Sequence, residues 1–291
     1  MNKAIGFIGL GVMGFPMAGH LTNHYKNIAV FNRTKKKSEE WNKKFSGIVC
    51  KSPGEVARVS DVIIICVCDD KDVKDVIFGD NGIINNLKPG SIIIDHTTTS
   101  ADLSKEINKL LNTKKVFYLD APVSGGEAGA NLGQLSIMVG GDKEHYYLSK
   151  SILKPYTKFI KYMGPSGSGQ LTKMVNQICI AGLIQALAEG INFSKKVGLE
   201  TQDVFEVVSK GAAQSWQMDN RWKTMTQDIY DYGFAVDLMR KDLNIVLNEA
   251  KKSDINLDVT KIINKYYKDI QEFGGGKLDT SSLLKRLEEL T

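Results

Sequence analysis

A glycine pattern near the start of the chain limits its fold more than any other feature. Gly9, Gly11 and Gly14 follow the apolar run at residues 3–8, and residues with helical spacing come after them. In a strand, turn and helix, such glycines permit the turn, admit a pyrophosphate and let the helix pack on the strand. A glycine turn without a ligand is the less favoured alternative. We therefore expect cofactor contacts along Gly9, Leu10, Gly11, Val12, Met13 and Gly14.

Strand-like and helical patterns alternate over the first half of the chain, which predicts a doubly wound, mostly parallel, Rossmann-like α/β sheet. After the first strand, the apolar runs lie at residues 28–31, 62–68, 91–95, 116–120, 135–139 and 159–163. One long helix is predicted over residues 170–196, with only helical patterns after it. A chain of 291 residues favours two domains. We expect a dinucleotide-binding domain at 1–163 and an all-helical domain at 164–291, joined by the long helix.

The residues after the second predicted strand indicate which dinucleotide binds. A site that prefers NAD usually has an acidic residue here, which binds the ribose 2′-hydroxyl. This chain has Asn32, Arg33 and Thr34 instead, followed by three lysines. A guanidinium and a hydroxyl suit a 2′-phosphate, which a carboxylate would repel. We expect NADP(H) to be preferred and NAD(H) to be possible. The alternative is that Arg33 only belongs to a solvated helix start.

The ends of the next two predicted strands supply further candidate cofactor neighbours. Ligands of an open α/β sheet bind at the carboxyl ends of its strands, which favours Val67, Cys68 and Thr98. Thr99 or Ser100 is instead expected to cap the helix that follows.

Composition excludes several other functions. The net charge is only +5, from 38 basic and 33 acidic residues, and arginine is too scarce for a nucleic-acid face. No uninterrupted apolar run reaches about 18 residues, so we expect no membrane span. The first 14 residues have three glycines at fixed spacing and no small-residue cleavage site, so we expect no secretory leader. No spacing typical of metal ligands is present. Cys66 and Cys68 lie in an apolar run and are expected to be buried free thiols of a cytoplasmic protein.

Two further segments carry side chains suited to chemistry. Pro122 is followed by Ser124, Gly125 and Gly126, whose hydroxyl and backbone amides suit a carboxylate pocket. A tight turn before a helix would use much the same residues. Lys173 lies in the first turns of the predicted long helix, and the amides three and four positions later are expected on a neighbouring part of its surface.

Four motifs together resemble the β-hydroxyacid dehydrogenase family. They are the glycine motif at 9–14, DAPVSGG at 120–126, G-x-G-x-x-x-K-x-x-N at 167–176 and KDL at 241–243. The family includes 3-hydroxyisobutyrate dehydrogenase and the tartronate, glyoxylate and succinic semialdehyde reductases. The resemblance implies an N-terminal Rossmann-like domain, a connecting helix, a helical C-terminal domain and assembly into dimers or tetramers.

The resemblance also implies roles for the matched residues. Lys173 would be the catalytic acid or base, Asn176 would orient the reacting oxygen, and Gln177 would assist in substrate binding. The loop at 124–126 would bind the substrate carboxylate. Lys241 would reach the nicotinamide end of the cofactor.

Some implied roles remain open to another interpretation. Thr98 matches a family position that contacts the cofactor. Trp216, Met218 and Phe234 lie in segments that resemble the lining of the substrate pocket, but core packing would explain these three side chains equally well.

The implied reaction is hydride transfer between NADP(H) and a short β-hydroxyacid or its semialdehyde, of the 3-hydroxyisobutyrate or tartronate semialdehyde type. Asn176 stands where phosphogluconate dehydrogenases have histidine, and imine reductases replace the lysine found here at Lys173. Gln177 stands where glyoxylate and succinic semialdehyde reductases have asparagine, which weakens the match to that branch. Because Asn32, Arg33 and Thr34 resemble the same branch, it is kept as an alternative. A dinucleotide-sensing protein without catalysis is another.

Overall fold

The computed structural model describes residues 3–289, beginning with a nine-stranded sheet and its helices. The strands are β1 (Ile5–Ile8), β2 (Ala29–Phe31), β3 (Ile48–Val49), β4 (Val62–Ile65), β5 (Ile92–Asp95), β6 (Phe117–Asp120), β7 (Val123–Ser124), β8 (Leu135–Gly141) and β9 (Thr157–Gly164). The helices between them are α1 (Gly14–Leu21), α2 (Lys35–Phe45), α3 (Pro53–Val59), α4 (Asp70–Phe78), α5 (Ala101–Asn112), α6 (Gly126–Asn131) and α7 (Lys143–Leu153). Then come α8 (Ser168–Lys196), α9 (Thr201–Val208), α10 (Trp216–Thr226), α11 (Val236–Lys252), α12 (Asp258–Glu272) and α13 (Leu283–Glu289).

The order of strands in the sheet confirms the predicted doubly wound class. The order is β3-β2-β1-β4-β5-β6-β8-β7, with β9 also paired to β8. The first six strands pair in parallel, whereas β8 runs antiparallel to both β6 and β7. The strand order reverses between β1 and β4, and the carboxyl ends of strands at such a point are where α/β sheets bind ligands.

Helices cover both faces of the parallel strands, which explains their unbroken apolar sequences. Phe7, Ile64 and Ile94 belong to one core, while Ile63 and Ile93 belong to a second core. Successive residues of a strand point to opposite faces, so a strand buried on both sides needs apolar side chains throughout.

The chain forms two compact units, and the boundary falls within α8 because the first ends at Lys173 and the second begins at Met174. The core of the second unit includes Ile184, Trp222 and Leu243. The division predicted between residues 163 and 164 includes terminal residues outside the described range, and it stays a prediction.

Two short strands and one burial state differ from the sequence predictions. β3 and β7 have two residues each, too few to show an alternating pattern. The predicted strand 62–68 ends at Ile65, beyond which the Cys66 N–H donates to Ile8 O at 2.9 Å. The prediction of buried thiols is wrong for Cys68, which is exposed, because the chain has already left the sheet there; Cys66 is partly buried.

The predicted long helix is observed as α8, two residues longer at its start. Its most apolar window has a mean hydropathy of 1.4, which by length and composition alone would suit a membrane span. The prediction of no span counted uninterrupted apolar runs, and in α8 uncharged polar residues interrupt them. Ala181, Ile184 and Ile191 of α8 lie in the core of the second unit, and a core helix meets the same criterion.

Candidate active site

The loop between β1 and α1 leaves room for a ligand at its central glycine only. A Cβ on Gly9, where φ is +99°, would clash with the carbonyl oxygen of Cys66. A Cβ on Gly14 would clash with the carbonyl oxygen of Gly9. At Gly11 an added Cβ would meet nothing within 4 Å. Protein packing thus accounts for the outer two glycines, whereas the open space at Gly11 fits the close approach of a pyrophosphate to the backbone.

Of the other residues of this loop, Leu10 is fixed by a hydrogen bond from its backbone N–H. The Leu10 N–H donates to Asn32 Oδ1 at 2.9 Å, which ties the glycine loop to the end of β2. Val12 is 59% exposed, and Met13 occupies the N-cap position of α1 without a side-chain capping bond. The loop leads into the start of α1, and the start of a helix is the end that attracts anions.

The three residues after β2 have different roles in the structure. Asn32 bridges two backbone groups, because its Nδ2 also donates to Thr34 O at 3.1 Å. Thr34 is the N-cap residue of α2, but its hydroxyl makes no capping bond. The Arg33 side chain is 82% exposed, and its Nη1 lies 2.9 Å from Asp72 Oδ1 of α4. The cation predicted to select the cofactor is therefore paired with a carboxylate that the sequence did not single out.

The ends of β4 and β5 are joined by hydrogen bonds. The Val67 N–H donates to Thr97 Oγ1 at 3.1 Å, Cys68 is exposed, and Thr98 is partly buried. Ser100 caps α5, as expected, by accepting from the Leu103 N–H at 3.2 Å. These strand ends lie at the carboxyl edge of the sheet, where a dinucleotide is expected.

The buried lysine of α8 contacts the loop that was predicted to hold a carboxylate. Lys173 is 8% exposed, and its Nζ donates to the Val123 carbonyl oxygen at 2.9 Å. Ser124 ends β7, and Gly125 and Gly126 follow with φ values of +135° and +63°. Gly125 occupies the N-cap position of α6, so the turn also starts a helix. The structure thus brings Lys173 to the 124–126 loop within the first unit.

Asp120 and Gln170 fix the start of α8, and the sequence did not assign them this role. Asp120 carboxylate oxygens accept from the Gly167 N–H at 2.8 Å and from the Gln170 N–H at 3.1 Å. The Gln170 side chain donates to Thr97 O at 2.7 Å and accepts from the Thr99 N–H at 3.1 Å. A buried carboxylate at a helix start satisfies amides that have no partner inside the helix. It holds the segment from which Lys173 projects.

Burial changes the titration of the groups around this helix start. Desolvation raises the pKa of Asp120 and of Asp95 to about 6, although hydrogen bonds oppose the change. Desolvation also lowers the pKa of His96 to about 4. His96 shares hydrogen bonds with Ala121 O at 2.6 Å and Tyr156 Oη at 2.9 Å. His96 is therefore a neutral, hydrogen-bonded residue at neutral pH.

The predicted polar residues of the second unit form a connected chain. Asn176 Nδ2 donates to Gln177 Oε1 at 2.7 Å, and Gln177 Nε2 donates to Asp242 Oδ2 at 2.7 Å. Lys241 Nζ lies 3.0 Å from Asp242 Oδ1. Asp242 is 2% exposed, and its role was not predicted, although the KDL motif contains it.

The aromatic candidates differ in burial. Trp216 is 47% exposed, at the start of α10, whereas Met218 is 5% exposed and packs in the core. Phe234 is partly buried against the same core, and its N–H donates to Asp279 Oδ2 at 2.8 Å. Arg221 lies over the Trp216 ring at 5.4 Å. Core packing thus explains Met218, while the Trp216 ring remains accessible to a ligand.

The arrangement suits proton transfer and binding of anions. It offers a buried amine, a loop rich in backbone amides and an open glycine turn at the start of a helix. Between residues 3 and 289, no group of three or more histidine, cysteine or acidic side chains is placed to hold a metal ion.

Family models match both halves of the chain. Residues 4–164 match the NAD binding domain of 6-phosphogluconate dehydrogenase. Residues 167–287 match the NAD-binding domain of NADP-dependent 3-hydroxyisobutyrate dehydrogenase.

Relatives are similar over nearly their full lengths. An uncharacterized oxidoreductase of Shewanella frigidimarina is 48% identical, over 98% of both chains. The 2-hydroxy-3-oxopropionate reductase of Escherichia coli is 34% identical, over 98% of this chain and 97% of that protein. The structure of Mycobacterium tuberculosis 3-hydroxyisobutyrate dehydrogenase with L-serine has a TM-score of 0.88 and 26% identity, covering 99% of both chains.

Proposed function

Because the chain belongs to the β-hydroxyacid dehydrogenase family of NAD(P)-dependent oxidoreductases, we propose that it interconverts a short β-hydroxyacid and its semialdehyde, with NADP(H) as the preferred cofactor. The contact of Lys173 Nζ with Val123 O at 2.9 Å carries the proposal. It places a buried amine beside the loop that would bind the substrate carboxylate. Few lysines are buried in proteins without a specific partner or a function.

In the proposed reaction, a bound dinucleotide supplies the hydride for reduction and accepts it in the reverse direction. Lys173 donates a proton to the substrate oxygen as negative charge develops there. Ser124, Gly125 and Gly126 bind the carboxylate through a hydroxyl and backbone amides. Asn176, one helical turn after Lys173, orients the reacting oxygen. Gln177 keeps the Asn176 amide in place through the 2.7 Å hydrogen bond between them.

The names of relatives suggest the substrate class. The Escherichia coli relative is a reductase of 2-hydroxy-3-oxopropionate, which is tartronate semialdehyde, and an Arabidopsis thaliana relative at 37% identity is named as a probable 3-hydroxyisobutyrate dehydrogenase-like protein. Both 2-hydroxy-3-oxopropionate and 3-hydroxyisobutyrate have a carboxylate close to the carbon that gains or loses the hydride. The oxygen on that carbon gains or loses a proton. We infer that a short acid of this kind is the substrate, and Trp216 and Phe234 would line its pocket.

The cofactor part of the proposal has its own support. The open space at Gly11, just before the start of α1, fits a pyrophosphate. Arg33 and Thr34 are suited to a 2′-phosphate. Thr98 would contact the cofactor from the end of β5, and Lys241 would act near its nicotinamide end.

The test is an assay of NADPH and NADH oxidation with tartronate semialdehyde, glyoxylate and succinic semialdehyde, and of the reverse reaction with 3-hydroxyisobutyrate. We expect turnover to fall about 10²-fold or more in Lys173→Ala, the usual scale of general acid catalysis, while NADPH still binds. Lys173→Arg retains the charge and a donor for Val123 O, but arginine does not release its proton. Lys173→Arg should therefore be almost as inactive as Lys173→Ala.

Lys196→Ala is the matched control, because Lys196 is an exposed lysine at the other end of α8. Its turnover should equal that of the wild type. Turnover retained in Lys173→Ala would contradict the proposed acid. NADPH binding without turnover on any substrate would instead favour a dinucleotide sensor.

We also propose self-association as a dimer or tetramer of a cytoplasmic protein. The second unit exposes several large apolar side chains, including Phe193 at 65%, Val207 at 73% and Val259 at 65%. An interface between subunits would remove apolar side chains such as these from water. Light scattering at micromolar concentration tests this, and a monomer would refute it.

A further inference from the structure

Arg33 and two of the three lysines that follow it lie near carboxylates. Arg33 Nη1 lies 2.9 Å from Asp72 Oδ1. In the first turn of α2, Lys35 Nζ lies 3.3 Å from Glu39 and Lys36 Nζ lies 3.9 Å from Glu40. The segment after β2 therefore has less net positive charge than its arginine and three lysines indicate.

Asp72 is better fixed than the arginine it pairs with. Its side chain is 18% exposed, against 82% for Arg33. Its own N–H donates to Asp69 Oδ1 at 2.9 Å, in the capped first turn of α4. The carboxylate is therefore part of the α4 start, while the guanidinium lies mostly in solvent. A ligand moves Arg33 more easily than it moves Asp72.

The two dinucleotides differ at the group that would meet this pair. A 2′-phosphate carries close to two negative charges, so it gains from Arg33 but is repelled by a carboxylate on the same guanidinium. A ribose 2′-hydroxyl is neutral, and a carboxylate accepts a hydrogen bond from it. The Arg33–Asp72 pair thus reduces the preference for a cofactor with a 2′-phosphate, and it has little effect on the binding of a cofactor with a 2′-hydroxyl.

We propose that Asp72 is a specificity-determining residue for the cofactor: by pairing with Arg33 it limits the preference for NADP(H), so that the enzyme also accepts NAD(H). The inference rests on the proposed function, since it assumes that a dinucleotide binds at the β1–α1 loop with its 2′ position near Arg33. It assigns to α4 a role that the glycine motif and the residues after β2 do not reveal.

The test is isothermal titration calorimetry of the intact chain with NADPH and with NADH. It compares the wild type with Asp72→Asn. Exposed ion pairs change equilibria by only a few-fold. We expect Asp72→Asn to bind NADPH roughly 3-fold to 5-fold more tightly and to bind NADH no more tightly than the wild type. The KM ratio of the two cofactors should move in the same direction.

Arg33 provides the internal check. In an Arg33→Ala background, Asp72→Asn should strengthen NADPH binding less than it does in the wild-type background, because only the direct repulsion between Asp72 and the phosphate is then removed. Asp75→Asn is the matched control: it removes one exposed carboxylate from the same helix. Its effect on NADPH binding should be less than about two-fold, as expected for a screened surface charge.

The possible outcomes separate the two proposals. If both cofactors bind and Asp72→Asn leaves their ratio unchanged, the role of Asp72 is wrong while the proposed function stands. Weaker NADPH binding in Asp72→Asn also overturns it, because Asp72 would then position Arg33 for the phosphate. If neither cofactor binds the wild-type protein, the proposed function fails together with this inference.

Discussion

The two compact units bury carboxylates in different ways. In the first unit, Asp95 and Asp120 have no exposed surface, and uncharged donors satisfy them. Asp95 accepts from the Tyr118 hydroxyl at 2.8 Å and from the Thr97 N–H at 2.9 Å. Asp120 accepts from backbone amides at the start of α8.

In the second unit, the buried carboxylates lie beside cations. Asp279 is 0% exposed, and Arg221 Nε is 3.0 Å from its Oδ1. Asp242 is 2% exposed, and Lys241 Nζ is 3.0 Å from its Oδ1. Asp279 also accepts from the backbone of the Phe234 loop, so one ion pair connects α10 with that loop.

The difference determines what each unit is sensitive to. Neutral donors do not cancel a buried charge, and desolvation raises the pKa of both Asp95 and Asp120 to about 6. The stability of the first unit is therefore expected to depend on pH between about 4 and 6. A buried ion pair has compensated charges, but removal of either partner leaves the other charge uncompensated. The second unit is therefore expected to respond mainly to loss of a cation.

The largest effect is expected for Arg221→Met, which leaves Asp279 buried without its cation. Removing one partner of a buried pair costs about 3 kcal/mol or more. Hydrogen exchange followed by mass spectrometry should show faster exchange in peptides of the second unit only. Lys195→Met is the matched control, because the Lys195–Glu288 pair has side chains about one third exposed. It should cost less than about 1 kcal/mol, and equal losses in the two variants would remove the distinction.

The next effect concerns Asp95 and pH. Its pKa is about 6 in the folded state, against an ordinary value of 3.8. Between these values the folded state binds more protons than the unfolded state, so this group makes the protein less stable as pH rises from about 4 to 6. Asp95→Asn lacks this titration. The stability of the variant relative to wild type should therefore rise over this window by about 2 kcal/mol and level off above about pH 7.

Urea unfolding of both proteins at a series of pH values from 4 to 8 measures this difference. His96 contributes with the opposite sign, because its pKa is lowered from 6.5 to about 4 in the folded state, so the fold loses stability as the pH falls between these values. That contribution is common to both proteins and largely cancels in the comparison. A stability difference independent of pH would show that burial does not raise the pKa of Asp95.

Local sequence patterns were sufficient for most of the fold. The apolar runs located seven of the strands, namely β1, β2, β4, β5, β6, β8 and β9. The two strands without a prediction, β3 and β7, are too short to have a period of their own and exist because neighbouring strands pair with them. Cys68 was misplaced because an apolar sequence continues past the point where pairing ends.

The contacts that position the candidate site were less accessible to sequence reasoning. Gly167 and Asp120 are 47 residues apart, and Gln170 and Thr97 are 73 residues apart. Arg33 stood out because of its position after β2, but Asp72, on a different helix, did not. Motifs indicate which residues serve a site, whereas the groups that neutralise or anchor them depend on tertiary contacts without a local pattern.

The smallest effect is expected for Tyr118→Phe, which tests the neutral donors directly. Loss of the hydroxyl removes a hydrogen bond that lowers the pKa of Asp95, so that pKa should rise further. A hydrogen bond to a charged group is worth about 2 kcal/mol and one to a neutral group about 1 kcal/mol. The variant should therefore lose more stability at pH 8, where Asp95 is ionised, than at pH 4. Tyr162→Phe removes a hydroxyl that donates to the neutral Gly141 carbonyl at 3.1 Å. Its loss should be the same at both pH values, and an equal pH dependence in the two variants would contradict a charged Asp95 at pH 8.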